Sequence, residues 1–423
     1  MTATLPEGAA TDIDDLRIVD CDAHLTEPAD LWTARVPESL RGRVPVQETR
    51  NGVTAWYVDG EMWASIGGNT IGHGPKKVLG TNTLQPFEEI HHSAWSTKER
   101  LDLLDDQGVW AQVLYPNGVG FSSNHIFAVP DLEQRTMILQ TYNDFLIEVQ
   151  HESGGRLLPQ GMLPIWDMDL TVKEMTRLID KGMTGFTLSD KPELLDLPEL
   201  PEPYFEPMWD IFNSTETVAN FHIGAGGTRE ESEGIRRTMR EQREGKTPVS
   251  TGGKRIAPPS WGSFGPQRWL AVMATQMYMS NVRIVTNLCM SNLFDRYPKL
   301  KIVSAESGIG WVPFLLEALE YQLDEMVTTP AEKSLQQRRP TEYFRDHLYV
   351  MFWFESSAPQ KLVDDIGVNN ILVETDIPHP TCLYPNAKGH FARVLSGLDP
   401  ASRRRILQDN AAELYGIDIP AVV

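Results

Sequence analysis

Carboxylate and imidazole side chains stand at the ends of three apolar runs in this sequence. Asp22 and His24, in DCDAH, end the first run, and residues two apart on a strand point to the same face. A carboxylate oxygen and an imidazole nitrogen placed this way make half of a metal site, although such a pair alone is more often a hydrogen bond in a turn. His222 ends the run TVANFH, and Asp376 ends NILVETD. The combination of these four residues at strand ends is a much more specific signal for a metal site than any one of them alone.

The elements that must position them alternate in a regular way. Short β-branched runs alternate with longer helical patterns, which is typical of βαβ units and a parallel sheet. About eight such runs begin at Leu16, Ala111, Leu157, Gly185, Thr217, Leu300, Leu348 and Asn370. Several runs are apolar nearly throughout and end in polar residues, as strands do when their carboxyl ends open onto a cleft. We therefore predict an α/β fold, a (β/α)8 TIM-like barrel, in which the first and eighth strands are neighbours.

Two segments interrupt the alternation. Asp59-Gly60 separates two aromatic-rich alternating runs, which indicates a hairpin, so residues 45–95 are predicted to form a small β insertion. Residues 225–265 are Gly-rich and strongly charged, and they are predicted to form a long lid loop at the site. We expect a flexible N-terminal segment over 1–15 and a single metal-dependent barrel domain over 16–423.

With these residues in place, the sequence resembles the amidohydrolase superfamily from roughly Ile18 to Ala412. It is most similar to the amidohydrolase-related branch, which includes aminocarboxymuconate semialdehyde decarboxylase and the hydroxybenzoate decarboxylases. The segment FDRYPKLKIVSAESGIGWVPFLLEALE is similar to that family's sixth strand with its flanking helices. The resemblance implies that Asp22, His24, His222 and Asp376 hold one divalent metal in the barrel. Zinc is the first expectation, and manganese becomes more plausible as carboxylates accumulate.

One position departs from the family pattern. The decarboxylases of this branch usually carry a His at the end of the sixth strand, where this sequence has Glu306 in SAESG. Three roles stay open for Glu306: a general acid or base, which we favour, a further metal ligand, or a support for a ligand His. His379, three residues after Asp376, is the other expected proton donor or acceptor. Tyr115 and Trp353, at the ends of the second and seventh strands, are predicted to bind substrate.

The favoured function is a metal-dependent, non-oxidative decarboxylase of a small aromatic or unsaturated carboxylic acid. In this scheme Glu306, Asp376 or His379 supplies the proton. The alternative is a hydrolase of the same fold that cleaves an amide, lactone or C–C bond with a metal-activated water. A barrel that only binds a ligand is a third reading. A Rossmann dehydrogenase is excluded, since no G-x-G-x-x-G lies near the first strand.

Composition limits the partners. The chain has 423 residues, with 38 Lys and Arg against 58 Asp and Glu, and its net charge of −20 argues against nucleic-acid binding. Its three cysteines, Cys21, Cys289 and Cys382, lack C-x-x-C spacing, which fits a reducing compartment. The N-terminus has no signal-like apolar core, and no run approaches the ~18 apolar residues of a membrane span. We expect a cytoplasmic enzyme with a small-molecule substrate and no membrane partner, and the resemblance implies a homodimer.

Overall fold

The computed structural model describes residues 13–50, 53–66, 70–72, 74, 77–79, 87–227 and 266–420. Most of the predicted lid over 225–265 lies outside the described residues, and so does the predicted N-terminal segment up to residue 12. Within the described residues, no helix combines the length and the apolar character needed to cross a membrane.

Twelve strands are formed by the described residues. In chain order they are β1 (Ile18–Leu25), β2 (Val46–Arg50), β3 (Val53–Val58), β4 (Glu61–Ser65), β5 (Val109–Pro116), β6 (Leu157–Pro159), β7 (Gly161–Met162), β8 (Gly185–Thr187), β9 (Val218–His222), β10 (Lys301–Ala305), β11 (Leu348–Phe352) and β12 (Ile371–Val373).

Nine of these strands form one parallel sheet, in the order β6-β5-β1-β12-β11-β10-β9-β8-β7. The two ends of this order, β6 and β7, are separated only by Gln160, so they are halves of one strand. The sheet therefore closes on itself as an eight-stranded barrel, and the predicted TIM-like fold is confirmed. All eight predicted strand runs are present, with β6 and β7 together as the third.

Helices connect most of the barrel strands. The longer ones, of eight residues or more, are Thr97–Gln107, Leu132–Glu152, Met168–Ile179, Glu206–Thr215, Pro266–Met277, Val282–Cys289, Val312–Met326, Pro340–His347 and Ala387–Val394. Shorter α-helical turns are Asn124–Phe127, Leu293–Arg296, Pro330–Lys333, Ala358–Lys361, Val363–Ile366, Pro400–Arg404 and Asn410–Tyr415, with a π-helical turn at Arg405–Asp409. Short 3-10 turns are Glu38–Arg43, Phe87–Glu89, His92–Ala94, Pro192–Leu195, Pro203–Phe205 and Val368–Asn370.

The helix Thr97–Gln107 shows how the sequence sets such bounds. At its start the Ser96 hydroxyl accepts a hydrogen bond from the Glu99 N–H, and at its end Gly108 adopts φ 69°.

The barrel interior holds a core of its own beneath the site. Val19, Cys21, Val113 and Val303 belong to this buried cluster. Tyr415, from the last helical turn, also belongs to it, and its hydroxyl donates to Asn220 Oδ1 at 2.7 Å. The C-terminal turn therefore places a side chain inside the barrel, next to β9, the strand that carries His222.

The strand β1 contains an irregularity next to the predicted site. Its pairing with β5 shifts between Asp20 and Ala23, where three steps along β1 match two along β5. Such a bulge inserts one extra residue and re-aims side chains. Cys21 belongs to the interior core, and the Asp22 carboxylate also faces the interior, where it meets His222. Asp20 lies on the outer side instead, where Gln112 and Thr375 donate to its carboxylate.

The predicted β insertion is present as the antiparallel sheet β2-β3-β4. Asp59 and Gly60 join β3 to β4 with φ values of 51° and 80°, the two positive φ angles that a tight hairpin turn of this type requires. The Asp59 carboxylate also accepts hydrogen bonds from Gln134 Nε2 at 3.1 Å. The hairpin prediction is therefore confirmed, and its turn is attached to the helix Leu132–Glu152.

Gly185 provides a test of packing inside the barrel. A Cβ at Gly185 would lie 2.2 Å from Gln160 Oε1 and 2.9 Å from the Val218 carbonyl oxygen. Gly185→Ala is therefore expected to lower the free energy of unfolding by about 1–3 kcal/mol, as overpacking does. Chemical denaturation measures the change. Gly397→Ala is the control, because its added Cβ would meet no atom within 4 Å. Equal stabilities of the two variants would contradict the packing described here.

Candidate metal centre

Five predicted site residues meet at the carboxyl ends of the barrel strands. Asp22 and His24 lie on β1, His222 ends β9, Glu306 follows β10, and Asp376 follows β12. All five are less than a tenth exposed. Ligand atoms of Asp22, His24, His222 and Glu306 lie within 4.8 Å of one another. A second such group combines His24 and Glu306 with Asp376 and His379, so both groups share one site.

Backbone carbonyls set the tautomers of two imidazoles. His24 donates from Nδ1 to the Pro116 carbonyl at 3.0 Å, and His222 donates from Nδ1 to the Ile223 carbonyl at 2.6 Å. A carbonyl oxygen only accepts, so Nδ1 carries the proton in both rings. In the neutral rings, each Nε2 therefore directs a lone pair into the cluster, which is the arrangement found in metal-binding histidines.

The cluster contains buried polar atoms without hydrogen-bond partners. These are both carboxylate oxygens of Asp22, Nε2 of His24 and Nε2 of His222. Leaving a buried acceptor without a partner typically costs about 1–3 kcal/mol, and more when the group is charged. Four such atoms facing one another fit a divalent cation, which would accept electron pairs from all of them. We conclude that the donor set suits a divalent metal site.

The spacing of the ligand atoms also fits one ion. His24 Nε2 lies 3.5 Å from Asp22 Oδ1 and 3.6 Å from Asp376 Oδ1. His222 Nε2 lies 3.3 Å from Asp22 Oδ2 and 3.1 Å from Glu306 Oε2. Two ligands held about 2.0–2.2 Å from one metal, at ordinary coordination angles, are about 2.8–3.6 Å apart. All four distances fall in that range.

His379 lies beside the cluster with both ring nitrogens engaged. Its Nδ1 is 2.5 Å from Asp376 Oδ1, and its Nε2 is 3.3 Å from Asn117 Oδ1. Asn117 donates from Nδ2 to the Thr26 hydroxyl, which turns its amide oxygen toward His379. Since both neighbours are acceptors in this arrangement, the geometry favours the protonated ring, with an N–H at each nitrogen. Burial lowers the pKa of His379, but the charge of Asp376 outweighs it and the net pKa is raised.

Glu374 is a fully buried carboxyl group beneath the cluster that the sequence analysis missed. Its Oε2 accepts from the Glu306 N–H at 3.1 Å, and its Oε1 has no hydrogen-bond partner. The sequence did contain a signal for Glu374. It precedes Asp376 by two residues, the same spacing that relates Asp22 to His24. The backbones of Glu306 and Asp376 have φ values of 52° and 60°, an uncommon conformation for residues other than glycine that clusters at functional sites.

Burial and charge shift the acids and the imidazoles of the cluster strongly. Burial raises the pKa of Asp22 to about 7 and lowers that of His24 to about 3. Burial raises the pKa of Glu374 well above its ordinary value, and the charges of Asp22 and Glu306 add to the rise. For His222, burial lowers the pKa, but Asp22 and Glu306 reverse the shift and the net pKa is well raised. A bound dication would lower the proton affinity of these groups.

A hydrogen-bond network on the outer side of the barrel supports β1. The buried Arg100 guanidinium donates to the His24 carbonyl at 2.6 Å and to Gln112 Oε1 at 3.0 Å. Gln112 donates in turn to Asp20, whose carboxylate also accepts from the Thr375 N–H at 2.8 Å. This network joins β1 and β5 to the residues that follow β12. It therefore holds the strand ends that carry Asp22, His24 and Asp376.

Phe121 is a second residue that the sequence analysis missed. It lies in the loop after β5, partly exposed, with its ring centroid 4.2 Å from that of His222 and 5.1 Å from that of His24. Glu27 holds this loop, because its buried carboxylate accepts from the Gly118 N–H at 2.8 Å. Phe121 lies five residues beyond the end of β5, where strand periodicity carries no information. It forms an apolar wall of the cluster.

The two aromatic residues predicted to bind substrate lie deeper. Tyr115 is buried, and its hydroxyl donates to Asn220 Oδ1 at 3.0 Å, beneath the imidazoles. Trp353 is also buried, and it contacts the partly buried Tyr278 edge to face at 4.9 Å. Substrate contact by Tyr115 and Trp353 stays a prediction. Phe121 and Tyr278 are partly exposed aromatic residues near the cluster.

Comparisons with known proteins agree with this architecture. Gamma-resorcylate decarboxylase of Rhizobium sp. (strain MTP-10005) is 22% identical over 345 residues, which cover 78% of this chain and 91% of that protein. The solved structure of an amidohydrolase from Mycobacterium avium subsp. paratuberculosis matches with a TM-score of 0.68 at 18% identity, over 95% of this chain and 100% of that chain.

A dihydroxybenzoic acid decarboxylase from Polaromonas sp. JS666, solved with manganese and the inhibitor 2-nitroresorcinol, matches with a TM-score of 0.55 at 18% identity. That match covers 95% of this chain and 97% of the other. The profile of the amidohydrolase family matches residues 19–417, almost the whole sequence. This chain therefore belongs to the amidohydrolase family.

Proposed function

We propose that this chain is a metal-dependent, non-oxidative decarboxylase of a small aromatic or unsaturated carboxylic acid. The observation that carries the proposal is the set of buried ligand atoms without partners, contributed by Asp22, His24 and His222. The similarity to gamma-resorcylate decarboxylase supports the choice of reaction within the family. Asp22, His24, His222 and Asp376 would hold the ion, which supplies a Lewis acid for the substrate carboxylate and a neighbouring oxygen.

The identity of the ion is part of the proposal. Zinc suits mixed imidazole and carboxylate ligands, and it is the first expectation from the sequence. Manganese is the second candidate, and the related dihydroxybenzoic acid decarboxylase has been solved with manganese bound. Protein purified without added metal should contain about one equivalent of one of these ions.

The residues around Asp376 can deliver the proton that decarboxylation requires. In the reaction, the bond from the ring or vinyl carbon to the carboxylate breaks, CO₂ leaves, and the same carbon gains one proton. His379 holds a proton at Nδ1 against Asp376 Oδ1, at 2.5 Å. Asp376 takes that proton from His379 and passes it to the substrate carbon, acting as a general acid. Asn117 keeps His379 in this orientation through Nε2.

The walls of the site suit a flat, apolar substrate. Phe121 covers the His222 ring on one side, and Tyr278 lies near Thr381, whose hydroxyl donates to Asp376 Oδ2 at 3.2 Å. A planar ring between such walls would place its carboxylate toward the imidazoles while apolar side chains exclude water. Hydrolysis is the alternative, with Glu306 or Asp376 taking a proton from an activated water.

Product analysis distinguishes the two reactions. We expect release of CO₂ from a hydroxybenzoate such as 2,6-dihydroxybenzoate, the compound bound in one related structure, with the protein loaded with Mn²⁺ or Zn²⁺. Amides and lactones in ¹⁸O-labelled water form the parallel assay. ¹⁸O incorporation without CO₂ release from any acid of the panel would replace the decarboxylase with the hydrolase. If the metal-loaded protein catalyses neither reaction, the remaining explanation is a barrel that only binds a ligand.

A homodimer and a cytoplasmic location belong to the same proposal. The dimer follows from the family resemblance, and the cytoplasmic location is supported by the three cysteines, which lack C-x-x-C spacing. Light scattering coupled to size-exclusion chromatography gives the mass in solution. A mass of about 47.6 kDa, that of one chain, would contradict the dimer.

A further inference from the structure

Glu306 lies closer to a ligand imidazole than the other carboxylates of the cluster do. Its Oε2 is 3.1 Å from His222 Nε2, whereas Asp22 Oδ2 is 3.3 Å from the same nitrogen. Glu306 is also the residue, together with His24, that belongs to both groups of potential metal ligands. Its carboxylate therefore lies between the ligands on β1 and β9 and the pair formed by Asp376 and His379.

The two explanations of the short distance to His222 require different numbers of protons on its ring. If Glu306 accepted a hydrogen bond from His222, Nε2 would have to carry a proton. Nδ1 already donates to the Ile223 carbonyl, so His222 would then be an imidazolium and could not bind a cation. In the metal-bound site Nε2 directs its lone pair to the ion. A carboxylate oxygen 3.1 Å away then has the spacing of a second ligand on the same ion.

The backbone around Glu306 is held in a way that suits a fixed ligand. Glu306 has φ 52°, which costs energy for a residue with a side chain. Its N–H donates to Glu374 Oε2 at 3.1 Å, inside the barrel. Glu374 is thereby a positioning residue, because it fixes the turn from which the Glu306 carboxylate reaches the cluster.

We propose that Glu306 is a direct ligand of the ion, and that its carboxylate strengthens manganese binding more than zinc binding. With Glu306 the donor set comprises two imidazoles and three carboxylates, which exceeds the four ligands that zinc usually takes in closed sites. Oxygen-rich sets of higher coordination number suit manganese. This inference rests on the proposed function only in requiring that the site hold a divalent ion.

The test measures metal binding rather than activity. Metal-free full-length protein is titrated with Mn²⁺ alone and with Zn²⁺ alone, in the wild type and in Glu306→Gln. We expect Glu306→Gln to weaken Mn²⁺ binding at least tenfold, to weaken Zn²⁺ binding much less, and to change the electron paramagnetic resonance spectrum of bound Mn²⁺. Glu355→Gln is the matched control, since Glu355 accepts the Ile309 and Gly310 N–H groups without belonging to the cluster.

Each outcome has one meaning. A wild type that binds neither ion overturns the proposed function. A wild type that binds Mn²⁺, with unchanged affinity and an unchanged spectrum in Glu306→Gln, overturns the ligand assignment alone. If Glu306→Gln does not fold, Glu306→Asp replaces it, because the shorter side chain keeps the charge but withdraws the oxygen. The proposal then requires the same loss of Mn²⁺ affinity in a variant whose thermal unfolding matches the wild type.

Discussion

Replacing His222 with alanine is expected to remove both the metal and the activity. His222 contributes an unpartnered Nε2 within 3.3 Å of Asp22 and within 3.1 Å of Glu306, so its loss leaves carboxylates facing one another. Changes to residues that merely support metal ligands cost about 10–100-fold in affinity, and loss of a ligand should exceed that. Metal content after dialysis should therefore fall below a tenth of the wild-type value, and the turnover rate should fall about 100-fold or more.

His347→Ala is the matched control for this prediction. His347 is also a buried imidazole whose Nδ1 bonds a backbone carbonyl, that of Leu300 at 2.9 Å. It stacks on Phe294 and precedes β11, at the opposite end of the strand from the site. We expect lower thermal stability but normal metal content in His347→Ala. Equal metal content in the two variants would rule out His222 as a ligand.

Asp376→Asn is expected to separate proton delivery from metal binding. The amide keeps an oxygen near His24 but cannot carry a proton from His379 to the substrate. Loss of a general acid typically costs about 10²–10⁴-fold, so kcat should fall by that factor while KM changes little. Elemental analysis of the variant loaded with excess metal should still find metal, since an amide oxygen remains a donor, although a weaker one than a carboxylate.

Thr381→Ala provides the comparison for Asp376→Asn. It removes only the hydroxyl that donates to Asp376 Oδ2 at 3.2 Å, leaving the carboxylate and His379 in place. Its kcat should therefore stay within about tenfold of the wild type, in line with the loss of one hydrogen bond. If Asp376→Asn also retained more than a tenth of the wild-type kcat, Asp376 would not be the acid, and the proton would have to come from another group.

The parts of the site that lie at strand ends were predictable from the sequence. Asp22, His222 and Asp376 each end an apolar run, and a parallel barrel brings the carboxyl ends of its strands to one face. The fold followed from the same alternation of apolar runs and helical patterns. What the residue pattern alone could not assign is the role of each carboxylate, since ligands, proton donors and supporting groups have the same side-chain chemistry.

The residues that were missed depend on the path of the chain between elements. Phe121 reaches the imidazoles because Glu27 binds the loop after β5, a contact between residues about ninety positions apart. Asn117 orients His379 across a separation of 262 positions. Such long-range contacts leave no local pattern. Tyr115 shows the opposite case, because the strand end was predicted correctly but the hydroxyl bonds to Asn220 inside the barrel.

Because β1 contains an extra residue, the side chains that face the site depend on the number of residues in this strand as well as on their types. Val19 and Cys21 face the interior, so strict alternation would send Asp22 and His24 outward, in phase with Asp20. The bulge interrupts this alternation between Cys21 and Asp22, so that both side chains face the interior. Deleting Asp20 or Cys21 would remove the bulge and restore strict alternation, with Asp22 and His24 still in phase with Val19 and facing the interior. A homologue with one residue fewer here and no bulge would present the same two side chains, so homologues should be compared here by residue count before residue type.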